Sequence, residues 1–159
     1  MRGFVIVILV LGLCCICGAE YRRDFMETYG CKTWQFFTDS EYKDAAVAIL
    51  FQAAYESNWG RAHWVEKRNQ VFALKDADAL KAETGQRWEA IRAFDTFDDA
   101  LAAQLNYYRK KKYPRSFAGF VAALEHHCYA QKPDYSAVVA RDSGSMLKYV
   151  RKHCNCEGR

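Results

Sequence analysis

The sequence predicts a mainly α-helical domain with one short β excursion. Three observations carry this. The longest apolar run, Ala45 to Tyr55, contains neither Gly nor Pro. Hydroxyl or acidic residues stand just ahead of three apolar segments, where helix N-caps belong. A single clear turn signal, Thr84-Gly85-Gln86, interrupts the middle of the chain.

Composition sets the outer bounds. A chain of 159 residues suits one domain. With 51% hydrophobic and 26% charged residues it has the balance of an ordinary globular protein. Two prolines and nine glycines exclude a collagen-like or Pro/Gly-rich disordered chain. Aromatics at 15% predict a dense core, an aromatic-lined groove, or both. The net charge of +4 is mild and its cations are scattered, which argues against a nucleic-acid partner. The one tight cluster, Arg109 to Lys112, reads as a solvated helix end, with an anion site as the alternative.

Residues 1–19 read as a secretory signal and 20–159 as the folded domain. Arg2 supplies the positive start, and Gly3 to Ala19 carries no charge. Cys17-Gly18-Ala19 offers small residues before Glu20, an acceptable cleavage site. The uncharged stretch reaches the lower limit for a bilayer span, about 17 residues, so an uncleaved membrane anchor is the alternative. Lipidation is disfavoured, because Leu13, Cys14 and Ile16 precede Cys14, Cys15 and Cys17. Either way the domain is expected outside the cytoplasm, secreted or periplasmic in the first case and anchored to the membrane in the second. Four cysteines remain, Cys31, Cys128, Cys154 and Cys156, an even number that favours disulfides outside the cytoplasm. Cys154 and Cys156 are too close to bridge each other, so each is expected to reach Cys31 or Cys128. The rival is a metal site built from His126-His127-Cys128 and His153-Cys154-x-Cys156, a spacing that matches no standard zinc pattern.

The helices follow in order. Thr38-Asp39-Ser40-Glu41 has the capping-box form, with Thr38 as N-cap of the apolar helix. That helix, apolar nearly all round, is expected to be central and buried, ending at Asn58-Trp59-Gly60 with Gly60 in the left-handed region. A short helix covers His63 to Lys67. Residues 69–97 are the least helical, and a small hairpin is placed around the 84–86 turn, with arms 81–83 and 87–94. Thr96 or Asp95 caps a helix from Asp98 to about Lys112, which stops before Pro114. Ser116 caps Phe117 to His127. The last helix runs from Tyr135 to about Lys152, with Ser143-Gly144-Ser145 as a possible break.

Glu56 is the chemically informative residue. It lies one turn after Gln52 and two after Ile49, on one face of the most apolar helix. A carboxylate there is costly to ionise, so its pKa should rise toward the range a general acid needs. The bland alternative is a core glutamate paired to backbone or Arg donors. Trp34, Trp59, Trp64 and Trp88 are stacking candidates for sugar rings, although most tryptophans are core residues; Trp59 stands out as a neighbour of Glu56. No glycine-rich phosphate loop and no supported Ser-His-Asp or Cys-His grouping is present.

Four ordered blocks, covering roughly residues 40–150, resemble the bacterial peptidoglycan glucosaminidase family, which includes flagellum-associated hydrolases and autolysins. Gln52-Ala53-Ala54-Tyr55-Glu56-Ser57-Asn58-Trp59-Gly60 is similar to the family's AQAALESGWG. Asn69-Gln70-Val71-Phe72-Ala73-Leu74-Lys75 resembles NNLFGIK. Ala93 to Ala100 resembles a segment that precedes a helix. Cys128-Tyr129-Ala130-Gln131-Lys132-Pro133-Asp134-Tyr135 is close to GYATDPxY. The resemblance implies a lysozyme-like helical domain with a small β-hairpin lobe. It also implies hydrolysis of the β-1,4 bond after N-acetylglucosamine in peptidoglycan, by a monomer that needs no metal or cofactor. It places Glu56 as general acid and a second acid in the lobe: Glu83 first, Glu89 as alternative, Asp76 or Asp78 more distantly. Trp59, Asn69, Phe72 and Tyr129 fall at substrate-binding positions. Muramidase or lytic transglycosylase action, and a non-catalytic glycan-binding module, are the competing readings. Four departures stand out. Ala73 replaces a glycine, Tyr55 a leucine, Asn58 a small residue, and Gln131-Lys132 a Thr-Asp pair. The short stretch between Lys75 and Phe94 leaves room for a reduced lobe.

Overall fold

The computed structural model describes residues 20–75, 91–126 and 134–154. Residues 20–25 are α-helical and run into a π-helical turn, Met26–Gly30, and then α1, Cys31–Thr38. Sequence reading placed no helix here, because a π turn breaks the 3.6-residue spacing that reveals one. Gly30 makes the wide turn possible: a Cβ on it would meet the Met26 sulfur at 2.6 Å.

A 3₁₀ turn, Lys43–Ala45, leads into α2, Ala46–Glu56. The predicted capping box does not form. Thr38 is the last residue of α1, and its hydroxyl donates to the Trp34 and Gln35 carbonyls. Ser40 takes the local capping role instead, accepting from the Tyr42 amide at 3.1 Å. Glu41 is held across the fold by Arg109, whose Nη2 donates to it at 2.8 Å. This bond, with its own backbone N–H, lowers the Glu41 pKa to about 2.

The next helices are α3, Trp64–Arg68; α4, Phe97–Lys110; α5, Phe117–His126; and α6, Tyr135–His153. Thr96 caps α4 as anticipated, accepting from the Asp99 amide. Ser116 accepts from the Gly119 amide at the start of α5. The suggested break in α6 is absent. Ser143 and Ser145 bond back to the Val139 and Asp142 carbonyls, and the helix continues through them.

α2 is central, as its sequence requires. Ala46, Ala48, Ile49, Leu50, Ala53 and Ala54 are fully buried, and the helix packs on α1, α5 and most extensively α6. Burying Ile49 or Leu50 stabilises the fold by about 1.5–3 kcal/mol each. α4 contributes Tyr108 to the core, and its ring meets Phe37, Tyr42 and Phe120 edge-on or tilted. The Tyr108 hydroxyl donates to Oε1 of buried Gln52 at 2.6 Å, giving the polar group on the apolar helix its acceptor's partner.

The small β-hairpin lobe is not supported. Among the described residues there is no strand, only a single antiparallel bridge between Lys75 and Ile91. Bonds from the Arg92 amide to the Leu74 carbonyl and from the Phe94 amide to the Arg68 carbonyl extend this neck. The Thr84-Gly85-Gln86 turn lies outside the described residues.

Cys31 and Cys154 form a disulfide across 123 positions of sequence, joining the start of α1 to the end of α6. It is one of the pairings anticipated and removes the Cys154 thiol from the alternative metal site. Cys128 and Cys156 lie outside the described residues. Among those described, no group of three or more His, Cys, Asp or Glu side chains is placed to hold a metal, and no helix is long and apolar enough to cross a membrane.

Candidate active site

α2 ends on Glu56, and the chain then turns sharply through three consecutive left-handed residues: Asn58 (φ 49°), Trp59 (φ 55°) and Gly60 (φ 78°). Asn and Gly tolerate this region, whereas a tryptophan there is strained, at a cost of order 1–3 kcal/mol. Buried Ser57 holds the turn. Its hydroxyl donates to the Ala53 carbonyl at 2.7 Å and accepts from the Gly60 amide at 2.9 Å. The Trp59 amide bonds to the Ala54 carbonyl, and the Ala62 amide to the Ser57 carbonyl. The Glu-Ser-x-x-Gly sequence thus stops the helix abruptly and leaves the carboxyl half-buried at its end.

Burial raises the Glu56 pKa, the largest influence on it. The Tyr135 hydroxyl and, more weakly, the positive charge of Lys75 act in the opposite direction by favouring the ionised form. Tyr135 opens α6 and is buried, with its ring edge-on to Tyr55 at 5.5 Å. Lys75 sits at the neck bridge. Neither was singled out from sequence. Both close a recognisable block, Tyr135 the fourth and Lys75 the second, and that position was the available signal.

The other sequence-predicted residues separate. Trp59 is half-buried beneath the Arg22 guanidinium, 5.0 Å from its ring centroid, and packs on Phe25 and Tyr149. Asn69 ends α3 at φ 49°, and its side-chain amide donates to the Phe94 and Asp95 carbonyls at 2.8 and 3.1 Å. It therefore pins the segment after the neck. Buried Gln70 does the same one residue on: it bonds to the Leu74 and Arg92 carbonyls and accepts from the Leu74 amide. Phe72 is 1% exposed and packs edge-on to Phe37, in the core. Ala73, in place of the family's glycine, has φ 50°, so the backbone there does adopt the conformation that glycine favours. Glu83, Glu89, Asp76, Asp78 and Tyr129 lie outside the described residues.

The site thus presents a half-buried carboxyl with a raised pKa, at the abrupt end of a buried helix and beside a tyrosine. The sequence profile of the glucosaminidase family, described as mannosyl-glycoprotein endo-beta-N-acetylglucosaminidase, matches residues 38–142. The chain belongs to this family and is a glycoside hydrolase of the endo-β-N-acetylglucosaminidase type. No curated protein and no solved structure matches the chain significantly.

Proposed function

We propose that the protein is an exported peptidoglycan hydrolase that cleaves the β-1,4 bond on the reducing side of N-acetylglucosamine, with Glu56 as general acid. The observation that carries this reading is the placement of Glu56 at the end of α2, where burial raises its pKa, the direction a general acid needs. Glu56 gives that proton to the glycosidic oxygen as the bond to the sugar breaks. A water then adds to the sugar carbon and releases its own proton. On the family resemblance, Glu83 is the carboxylate that activates this water or stabilises positive charge on the ring, with Glu89 as the alternative. Tyr129 and Trp59 line the sugar site on the same basis, while Asn69 and Phe72 act from behind it. Residues 1–19 as a secretory signal support export, and so does the Cys31–Cys154 disulfide, since such bonds persist in oxidising compartments.

Digestion of purified peptidoglycan followed by mass analysis of the fragments tests this reading. Fragments ending in reducing N-acetylglucosamine are expected. Reducing muramic acid or an anhydro product would assign the other bond, and an intact wall would leave a binding module. Glu56→Gln should cut turnover by about 10²–10⁴-fold. It should also melt no lower than the parent at neutral pH. A raised pKa means that ionising Glu56 destabilises the folded state once the pH exceeds the usual carboxyl range, and glutamine carries no such penalty. The advantage should vanish as the pH falls below that range.

A further inference from the structure

A groove of ≈ 630 Å³ runs between α2 and α6 and has no part in the proton transfer assigned to Glu56. Phe51, Tyr55, Trp59 and Tyr149 supply aromatic surface to it. Tyr55 stacks on Phe51, and at 37% it is the one exposed large hydrophobic residue among those described. Flat ring faces of this kind suit the apolar C–H faces of sugars.

The charge in the groove is uneven. Arg22, Lys148 and Lys152 line it. Arg22 is held in place by the Tyr149 hydroxyl, 3.0 Å from its Nη1, and by the Trp59 ring beneath it. Lys148 and Lys152 are exposed one turn apart on α6 and make no ion pair among the described residues. The carboxylate in the lining, Asp142, is committed to its neighbour Arg141 through bonds of 2.7 and 2.8 Å. A neutral sugar chain gives three cations nothing to pair with. A polymer with carboxylates hanging from its sugar rings uses both the rings and the cations.

We infer that this groove holds the carboxylate-bearing peptide stems of the same wall strand that Glu56 cuts, with the strand's sugars against Tyr55 and Trp59. Tyr55 lines the groove and its ring meets Tyr135, whose hydroxyl bonds the Glu56 carboxyl, so the groove lies one side chain away from the proposed acid's surroundings. The inference rests on the reading of the protein as a wall hydrolase, which the turnover of the unsubstituted protein tests separately.

Binding is best measured on the Glu56→Gln protein, which leaves the wall intact, by co-sedimentation with purified peptidoglycan. Native wall is compared with wall whose carboxyls have been converted to amides. The parent should bind native wall more tightly than amidated wall. Adding Lys148→Gln and Lys152→Gln should weaken binding to native wall by about three- to tenfold, the scale of two exposed charge contacts, and leave binding to amidated wall unchanged. Lys110→Gln with Lys111→Gln removes the same charge from the end of α4 and should bind like the parent. Any of four results overturns the proposal: no binding to native wall, equal binding of the Lys148/Lys152 variant and parent, equal loss on both walls, or an equal loss in the Lys110/Lys111 control.

Discussion

Glu56 is pulled two ways, and the balance gives it a measurable signature. Burial holds its proton on; Tyr135 and Lys75 favour its release. In the proposed role of general acid it would work only while protonated, so activity should fall as pH rises through its elevated pKa. Tyr135→Phe removes an influence that lowers this pKa, and the alkaline limb of the pH–activity profile should therefore move to higher pH. A limb that stays put or moves down would detach Tyr135 from the acid. The raised pKa of Glu56 was legible in the sequence because the residue shares a face with Ile49 and Gln52 at the end of the most apolar helix. The placement of Asn69 and Phe72 was not. A motif gives residue types, and only the packed fold decides that the Asn69 amide is bonded to the Phe94 and Asp95 carbonyls, or that Phe72 faces Phe37.

Among the elements, those fixed by local chemistry were readable. α4 and α5 lie within a residue or two of where their apolar runs and caps put them, and α2 follows its apolar run but begins at Ala46, well after the Thr38 cap assigned to it. The failure at Thr38 has a tertiary cause: Glu41, whose spacing suggested a capping box, bonds to Arg109, 68 residues away. The Ser143-Gly144-Ser145 break failed for the reverse reason. Both serine hydroxyls fold back onto carbonyls of their own helix, and burial of Val139, Met146 and Val150 carries α6 through the weak point. Gly144 is left as a propensity defect with open space around it, since a Cβ there meets nothing within 4 Å. Gly144→Ala should therefore stabilise the protein by about 0.5–1 kcal/mol. Thermal unfolding measures this, and a drop in stability would mean that something covers that face.

At the scale of the whole molecule, cysteine spacing limited the pairings without choosing between them. Four cysteines allow three pairings, the closeness of Cys154 and Cys156 leaves two, and only the meeting of α1 with α6 selects Cys31–Cys154. Closing a loop of this length restricts the unfolded chain strongly, by about 4–5 kcal/mol in the chain-entropy model. Replacing both cysteines by serine should lower the unfolding free energy by several kcal/mol in denaturant titrations under non-reducing conditions. A loss below about 1 kcal/mol would show that the packing of α1, α2 and α6 alone secures the termini.

The same bond also decides where mechanical load travels. Helices α2 to α5 lie wholly between its two cysteines, and the chain enters and leaves that closed span at one point. Tension applied to the two ends of the domain passes through the sulfur–sulfur link and bypasses helices α2 to α5. A domain pulled by its ends would keep its Glu56 turn unloaded, until a reductant opened the link and let the pull reach α2.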